Sequence, residues 1–166
     1  MSSQTENTIS FPRYAELPQL ELYMDQVLLI LEQSLVPDLP EPPAEPPRRS
    51  KQGERPITAS MINNYVKQGL IEPPRKKRYT RQQVASLLLI CLLKNLLPIA
   101  DIKLLLQTAE NQGFAVFYDS FCSQLETRLS SLKAEAPADQ PDLPLAAAQA
   151  LAQKFYLQKR LQNHTL

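Results

Sequence analysis

The sequence has only three glycines, two cysteines, one histidine and no tryptophan among its 166 residues. So few glycines leave little material for phosphate-cradling or active-site loops, and no Cys or His stands at the spacing that metal sites use. No Ser-His-Asp or Cys-His set is present, and no apolar run of about eighteen residues is free of charge. These absences predict a protein that is not an enzyme, needs no cofactor or metal and does not span a membrane.

The first ten residues lack both the basic start and the apolar stretch of a signal peptide. We therefore expect a cytoplasmic protein, and a reducing compartment suits its two cysteines. Cys91 and Cys122 lie within apolar helical patterns, so they are predicted to be small core residues rather than reactive thiols.

The net charge of +1 is distributed very unevenly. Residues 1–47 have one basic residue against eight acidic ones, a net charge of −7. Residues 48–81 have ten basic against two acidic residues, a net charge of +8, and residues 82–166 balance at seven of each. A basic segment of this kind is typical of a phosphate-contacting surface, although a solvated loop attracted to the acidic N-terminal segment would fit the charge pattern equally well.

Helical periodicity divides the chain into predicted elements. Apolar residues recur at helical spacing from Leu20 to Leu35, and a proline-rich linker with a basic segment follows over residues 37–56. The capping box from Thr80 to Gln83 opens a helix that is apolar nearly all round, and Pro98 starts another that ends at Gly113. Two apolar stripes in the C-terminal third are expected to be core, or else a pocket wall or dimer contact: Phe114, Phe117, Tyr118, Phe121, Leu125, Leu129 and Leu132, and then Ala147, Ala148, Leu151 and Phe155.

Between these elements lies the segment that indicates a function. Thr58 is a good helix cap, and Gly69 is expected to end the helix that it starts. Asn pairs well with adenine and Lys with guanine or phosphate, so the polar face of this helix suits the reading of bases in the major groove. That face comprises Ser60, Asn63, Asn64 and Lys67.

A double proline and a run of cations follow that helix. We predict a short hairpin with Leu70 and Ile71 on the outgoing side, Tyr79 on the return and the tip over residues 73–78. Cations on such a wing hold backbone phosphates beside the groove. The predicted phosphate contacts are Arg75, Lys76, Lys77, Arg78 and Arg81, with Arg48, Arg49 and Lys51 as further candidates.

Two resemblances support this interpretation. The order of elements from Thr58 to Leu106 resembles the DNA-binding domain of mercury-resistance (MerR) type bacterial regulators, through Thr58, Ile62, Tyr65, the stretch Gly69 to Ile71, Tyr79 with Thr80, and Ile102 to Leu105. Most of the chain is similar to the bacterial family numbered 1836 among domains of unknown function. The residues that carry this second likeness are Leu22 to Val27, Met61 to Lys67, Lys77 to Tyr79, Leu93 with Lys94, and Phe117 to Phe121.

The resemblances imply a mainly α fold: a MerR-like winged helix-turn-helix with a small β-hairpin wing, and N-terminal and C-terminal helices packed on it. The implied parts are an N-terminal helix over 1–36, the linker over 37–56, the winged helix-turn-helix over 57–112 and a C-terminal helical region over 113–166 for dimer or effector contacts. Three features depart from the MerR pattern. Asn63 replaces a common arginine, the first helix of the motif has no clear segment of its own, and prolines 137, 141 and 144 break the dimerisation helix.

We therefore expect a transcriptional regulator that binds specific double-stranded DNA, with a homodimer possible and no effector indicated. The rival hypothesis is a protein-interaction module derived from a helix-turn-helix, whose basic face grips an acidic partner or its own N-terminal segment. Deletion of residues 1–47 is expected to discriminate them, because a masked reader would then bind DNA more tightly.

Overall fold

The computed structural model describes residues 9–35, 57–135 and 143–163. A short 3-10 helix lies at Tyr14–Glu16. The α-helices in these ranges are α1 (Met24–Ser34), α2 (Ala59–Lys67), α3 (Arg81–Leu93), α4 (Ile99–Gln112), α5 (Phe114–Glu135) and α6 (Leu143–Asn163). The prediction of a mainly α fold is confirmed, whereas the predicted linker over 37–56, with the candidate phosphate contacts Arg48, Arg49 and Lys51, lies outside the described residues. None of the helices in these ranges has the length and apolarity needed to cross a membrane.

Helix α2 begins and ends as its sequence predicts. The Thr58 side chain accepts a hydrogen bond from the backbone N–H of Met61 at 3.3 Å and so caps the first turn. Gly69 has a positive φ of 70°, and the N–H of Leu70 returns to the carbonyl of Tyr65 at 3.0 Å. This is the Schellman arrangement, which satisfies the last carbonyls of the helix and turns the chain sharply.

Helix α3 is the centre of the molecule. The predicted capping box is present, because Gln83 N–H donates to Thr80 Oγ1 and Thr80 N–H donates to Gln83 Oε1, at 3.3 and 2.7 Å. Nine of the thirteen residues of α3 are buried, so the helix needs apolar neighbours on all its sides. Helices α1, α4 and α5 supply them by packing against it.

The two predicted apolar stripes of the C-terminal third differ in burial. In α5, Phe114 and Tyr118 are buried, while Leu132 at the far end is exposed. In α6 the prediction of core packing is wrong: Ala147, Ala148, Leu151 and Phe155 are all exposed. Helix α6 instead packs on α4 through another face, so the periodicity was correct for a helix but did not identify its buried side.

Both cysteines occupy the core, as predicted. Cys91 is 7% exposed and Cys122 is 1% exposed. Burial raises the pKa of the Cys91 thiol to about 11, which keeps it protonated and unreactive at neutral pH.

Residues 9–23 form a segment that we call the N-terminal strap. It crosses α5 with Phe11 and Leu17 buried, and it then forms an antiparallel bridge between Leu22 and Tyr79. Because Leu22 is used in this bridge, α1 begins at Met24 rather than at the predicted Leu20. The predicted helix was therefore too long by about one turn at its start.

The strap is held on α5 by polar contacts. The Arg13 guanidinium donates to both carboxylate oxygens of Glu126, at 3.1 and 2.5 Å, and Phe11 N–H donates to the same carboxylate at 2.7 Å. The Tyr118 hydroxyl donates to the Pro12 carbonyl at 3.0 Å, and burial raises the pKa of this hydroxyl, which keeps it a donor. The strap is therefore part of the folded body.

Because the strap is part of the core, deletion of residues 1–47 would destabilise the protein as well as unmask its basic surface. The deletion therefore does not test masking by itself. Such a deletion would remove Phe11, Leu17, Val27 and Leu31, which are all buried in the core. Each large core side chain contributes on the order of 2 kcal/mol or more, so the truncated chain would lose much of its stability.

We predict that Gly69→Ala destabilises the protein by about 1 to 2 kcal/mol. An L-residue at this φ is strained, and the added Cβ would lie 3.2 Å from Lys103 Nζ. The matched control is Gln68→Ala, one residue earlier at an exposed site with helical φ and ψ, which should be nearly neutral. Urea unfolding followed by circular dichroism measures both, and equal stabilities would contradict the Schellman assignment.

We predict that part of the acid sensitivity of the fold comes from Glu126. Burial raises the pKa of its carboxyl, but the hydrogen bonds from Arg13 and from the Phe11 backbone outweigh this, and the pKa lies below its ordinary 4.5. A lowered folded-state pKa gives stability that is complete above pH 4.5 and is lost as the pH falls towards the lowered value. Glu126→Gln should lower stability at pH 7 and flatten its decline below pH 4.5 in urea titrations; an unchanged acid limb would contradict the ion pair.

Candidate nucleic-acid interface

The polar face of α2 is open to solvent. The buried side chains Ile62 and Tyr65 fix the rotation of this helix against the core. The four predicted base-reading residues are all exposed, and α2 has no acidic residue. Lys67 lies in the last turn, where a cation also interacts favourably with the helix dipole. The members of this polar face are Ser60, Asn63, Asn64 and Lys67.

The cations that follow α2 form a tight reverse turn over residues 75–78, which we call the cation turn. Arg75 and Arg78 make an isolated antiparallel bridge, and Arg78 N–H donates to the Arg75 carbonyl at 2.9 Å. All four side chains are exposed. The turn is shorter than the predicted tip over 73–78, and Leu70 and Ile71 are buried in the core instead of forming an outgoing strand. Apart from the two isolated bridges, the described residues contain no β structure.

The two central residues of the cation turn have a left-handed backbone. Lys76 has a φ of 49° and Lys77 a φ of 63°. Positive φ at both central positions is the signature of a type I′ turn, which strongly prefers Asn-Gly. Two lysines there cost backbone strain in addition to their mutual repulsion. Lysines at these two exposed positions make the turn less stable, which indicates that their side chains serve a function other than folding.

The base of the cation turn is tied to the body at two points. Tyr79, which is buried, exchanges both backbone hydrogen bonds with Leu22 of the strap, at 2.9 and 2.8 Å. Gln83 closes the other side, because its Nε2 donates to the Glu72 carbonyl at 2.8 Å while its Oε1 caps α3. The turn is therefore an exposed tip on a fixed base.

Two of the predicted phosphate contacts are held by the strap. The Arg78 guanidinium donates to the Tyr23 hydroxyl at 3.0 Å and lies over the Tyr23 ring, 5.1 Å from its centroid. That hydrogen bond raises the pKa of Arg78 above its usual value. Arg81 is partly buried, with its guanidinium 5.5 Å from the centroid of the Tyr14 ring and its Nε donating to the Pro18 carbonyl at 3.5 Å.

A polar cleft of about 460 Å³ lies between the segment after α2 and helix α4. Arg75 and Lys103 share it with three carboxylates, those of Glu21, Glu72 and Glu110. Arg75 therefore faces acidic groups on one side, and the lysines at the tip of the turn do not line this cleft. No cluster of His, Cys, Asp and Glu that could hold a metal ion occurs among the described residues.

The polar face and the cation turn are close along the chain. Seven residues lie between Lys67 and Arg75, so their Cα atoms, eight steps apart along the chain, are separated by at most about 28 Å. This upper limit is less than one turn of B-form DNA, about 34 Å. The distance between Lys67 and Arg75 is therefore short enough for both to lie within one turn of a duplex.

A family model for a domain of unknown function, DUF1836, matches residues 12–121. The match covers about two thirds of the sequence. The chain belongs to this family. No curated protein and no solved structure gave a match.

The DUF1836 match begins in the strap and ends inside α5. It contains the polar face, the cation turn and the residues that hold the turn, whereas α6 lies outside it. Sequence reasoning missed the role of Tyr14 and Tyr23, which bind two of the arginines. The contact could not be predicted from the sequence, because the tyrosines lie far from the basic segment along the chain. Tyr23 and Arg78, for example, are 55 residues apart.

We predict that replacing Lys76 and Lys77 by Asn and Gly stabilises this DUF1836 protein by about 1 to 2 kcal/mol, because Asn-Gly relieves the positive-φ strain. The matched control replaces both lysines by Gln, which removes the same two charges and keeps the strain. Urea unfolding should place the Asn-Gly variant above the Gln-Gln variant. Equal stability of the two would show that the turn does not have the left-handed backbone.

Proposed function

We propose that this DUF1836 protein is a DNA-binding transcriptional regulator of the MerR-like winged helix-turn-helix type, acting in the cytoplasm. The observation that carries the proposal is the exposed face of α2, polar and free of carboxylates, followed eight positions further along the chain by an exposed turn of four cations. In this proposal α2 enters the major groove as the recognition helix, and the cation turn is the tip of the wing. The MerR-like resemblance of residues 58–106 supports the same assignment.

The free side chains divide into two roles. Asn63 and Asn64 present amides that can pair with a base edge, and Ser60 adds a hydroxyl. Lys67, Arg75, Lys76 and Lys77 are exposed cations for phosphate oxygens. Arg78 and Arg81 support the wing through the strap, and the guanidinium N–H groups of the exposed Arg78 that Tyr23 does not use can still donate to phosphate.

The strap fixes the position of the wing relative to the rest of the protein. Leu22 pairs with Tyr79 at the base of the turn, and Tyr23 holds Arg78 beside it. Positioning of this kind reduces the entropy lost on binding, because the phosphate-contacting tip is already ordered. A homodimer would present two such interfaces to two half-sites.

The rival hypothesis, a protein-interaction module, uses the same basic surface for an acidic partner. Among the described residues, the strap holds Arg78 and Arg81 by a hydroxyl, a carbonyl and aromatic rings rather than by salt bridges. Among the described residues of the acidic N-terminal segment, Glu21 is a candidate for masking, because its charge acts on Arg78 and it lines the cleft with Arg75. Glu21→Gln should raise duplex affinity several-fold if this carboxylate competes with phosphate, and leave it unchanged otherwise.

We predict that duplex binding falls steeply with salt. Four phosphate contacts give a slope of about −4 in a plot of log affinity against log salt. Replacing Lys76 and Lys77 by Gln should reduce the magnitude of that slope by about 2, for every duplex sequence. Arg128→Gln, an exposed cation on α5 outside the interface, should leave the slope unchanged. Fluorescence anisotropy over a salt series measures these slopes, and a flat series for the unmodified protein would refute the proposed wing.

We predict a different signature for the recognition helix. Genomic fragments selected by the purified protein supply a preferred site, and Asn64→Ala should weaken binding to it by about 1 to 3 kcal/mol while binding to random duplex hardly changes. The loss is confined to the preferred site because a base contact, unlike a phosphate contact, depends on sequence. An equal loss on both duplexes would remove Asn64 from base reading.

A further inference from the structure

The polar cleft between the segment after α2 and helix α4 is lined by charges of both signs that do not pair with each other. Arg75 and Lys103 contribute the cations, and Glu21, Glu72 and Glu110 contribute the carboxylates. Within the described part of the chain, none of these five groups forms a salt bridge. Charged groups that share a cleft without neutralising each other are available to a ligand that carries both charges.

The arrangement of these charges disfavours several simpler ligands. The three carboxylates are not close enough together to hold a metal ion. They outnumber the two cations, so the five groups have a net charge of −1 and would repel a polyanion such as a nucleotide. A molecule with several positive charges would in turn be repelled by Arg75 and Lys103. A zwitterion, with one charge of each sign, suits the cleft best.

Helix α4 sets the distance between a cation and a carboxylate of the cleft. One wall of the cleft consists of Lys103, Leu106, Gln107 and Glu110, which lie along one face of the helix at i, i+3, i+4 and i+7. Seven steps of about 1.5 Å place Lys103 and Glu110 about 10.5 Å apart along the helix axis. An extended chain of three amino acids spans about 10 Å. The wall therefore matches a zwitterion as long as a tripeptide.

The Lys103 ammonium has a defined position in the cleft. A Cβ added to Gly69 would lie 3.2 Å from Lys103 Nζ, so the ammonium lies beside the turn that ends α2. A cation at the carboxyl end of a helix is favoured by the helix dipole. The amide side chains of Gln82 and Gln107 also line the cleft; they are exposed and have no hydrogen-bonding partner among the described residues. Such amides can pair with the peptide groups of a ligand.

We propose that the polar cleft binds a short peptide with free termini, about three residues long. The peptide carboxylate pairs with Lys103, its terminal ammonium pairs with Glu110, and its peptide groups bond to Gln82 and Gln107. Leu106, in the middle of the wall, gives the ligand an apolar contact. The site does not include the polar face of α2, and the proposal does not depend on DNA binding.

The test is a titration of the isotope-labelled full chain with trialanine, followed by NMR. The backbone amide signals of Gly69, Lys103 and Glu110 should shift and saturate with one common Kd, on the order of 0.1 to 1 mM for a ligand of this size. The matched control ligand is trialanine with an acetylated N-terminus and an amidated C-terminus, which has no terminal charge and should cause no saturable shift. Spermidine and glutarate, which carry charges of one sign only, should bind more weakly than trialanine.

Substitutions in the cleft test the two ion pairs. Lys103→Gln and Glu110→Gln each remove one pairing charge and should weaken trialanine binding about three- to five-fold. Arg128→Gln, an exposed cation on α5 outside the cleft, should leave the Kd unchanged. The spectrum of each variant without ligand checks that it is folded.

Four results would each overturn the peptide site. They are the absence of saturable shifts with trialanine, shifts confined to residues outside the cleft, binding of the blocked peptide, spermidine or glutarate as tight as that of trialanine, and a Kd that neither cleft substitution changes. Failure of the protein to bind duplex DNA would overturn the proposed regulator and leave the peptide site standing.

Discussion

The apolar surface of α3 determines how the rest of the chain is arranged. A helix with nine buried residues among thirteen has no side to turn towards water, so α1, α4 and α5 must pack around it. The N-terminal strap crosses α5 and pairs with Tyr79, two residues before α3 begins. Because the capping box of α3 begins directly after Tyr79, the position of the central helix also determines where the cation turn leaves the body. The candidate interface is thus built on the most buried element of the protein.

The strap connects two regions that sequence order keeps apart. At one end, Arg13 and Phe11 bind Glu126 of α5; at the other, Leu22 and Tyr23 hold the base of the cation turn. The strap also divides the cations of the turn into two groups. Arg78 donates a hydrogen bond to the Tyr23 hydroxyl of the strap, whereas Lys76 and Lys77 remain at the exposed tip. In the proposed function, the lysines and Arg75 supply the salt-sensitive affinity, and Arg78 and Arg81 supply the rigidity.

The local elements could be predicted because their signals are local. Thr58 and Gly69 bound α2, and Thr80 with Gln83 opens α3, since caps depend on groups within four residues of each other. The two cysteines and the central helix followed from apolar patterns. The start of α1 and the shape of the turn could not be predicted in this way. Leu22 leaves the helix to pair with Tyr79, 57 residues later, and Leu70 with Ile71 enters the core rather than a strand.

The sequence by itself determined the helical class, the caps and the location of the polar face and the cations, because these depend on short-range periodicity and charge. Only the tertiary structure decided which side of α6 is covered, which arginines contact the tyrosines of the strap and how the cation turn is anchored. A helical stripe shows that a helix has an apolar side, but which neighbour covers it depends on the packing of the whole chain. Helix α6 packs on α4, from which it is separated by thirty residues, and in this packing Leu161 is buried while Phe155 stays exposed.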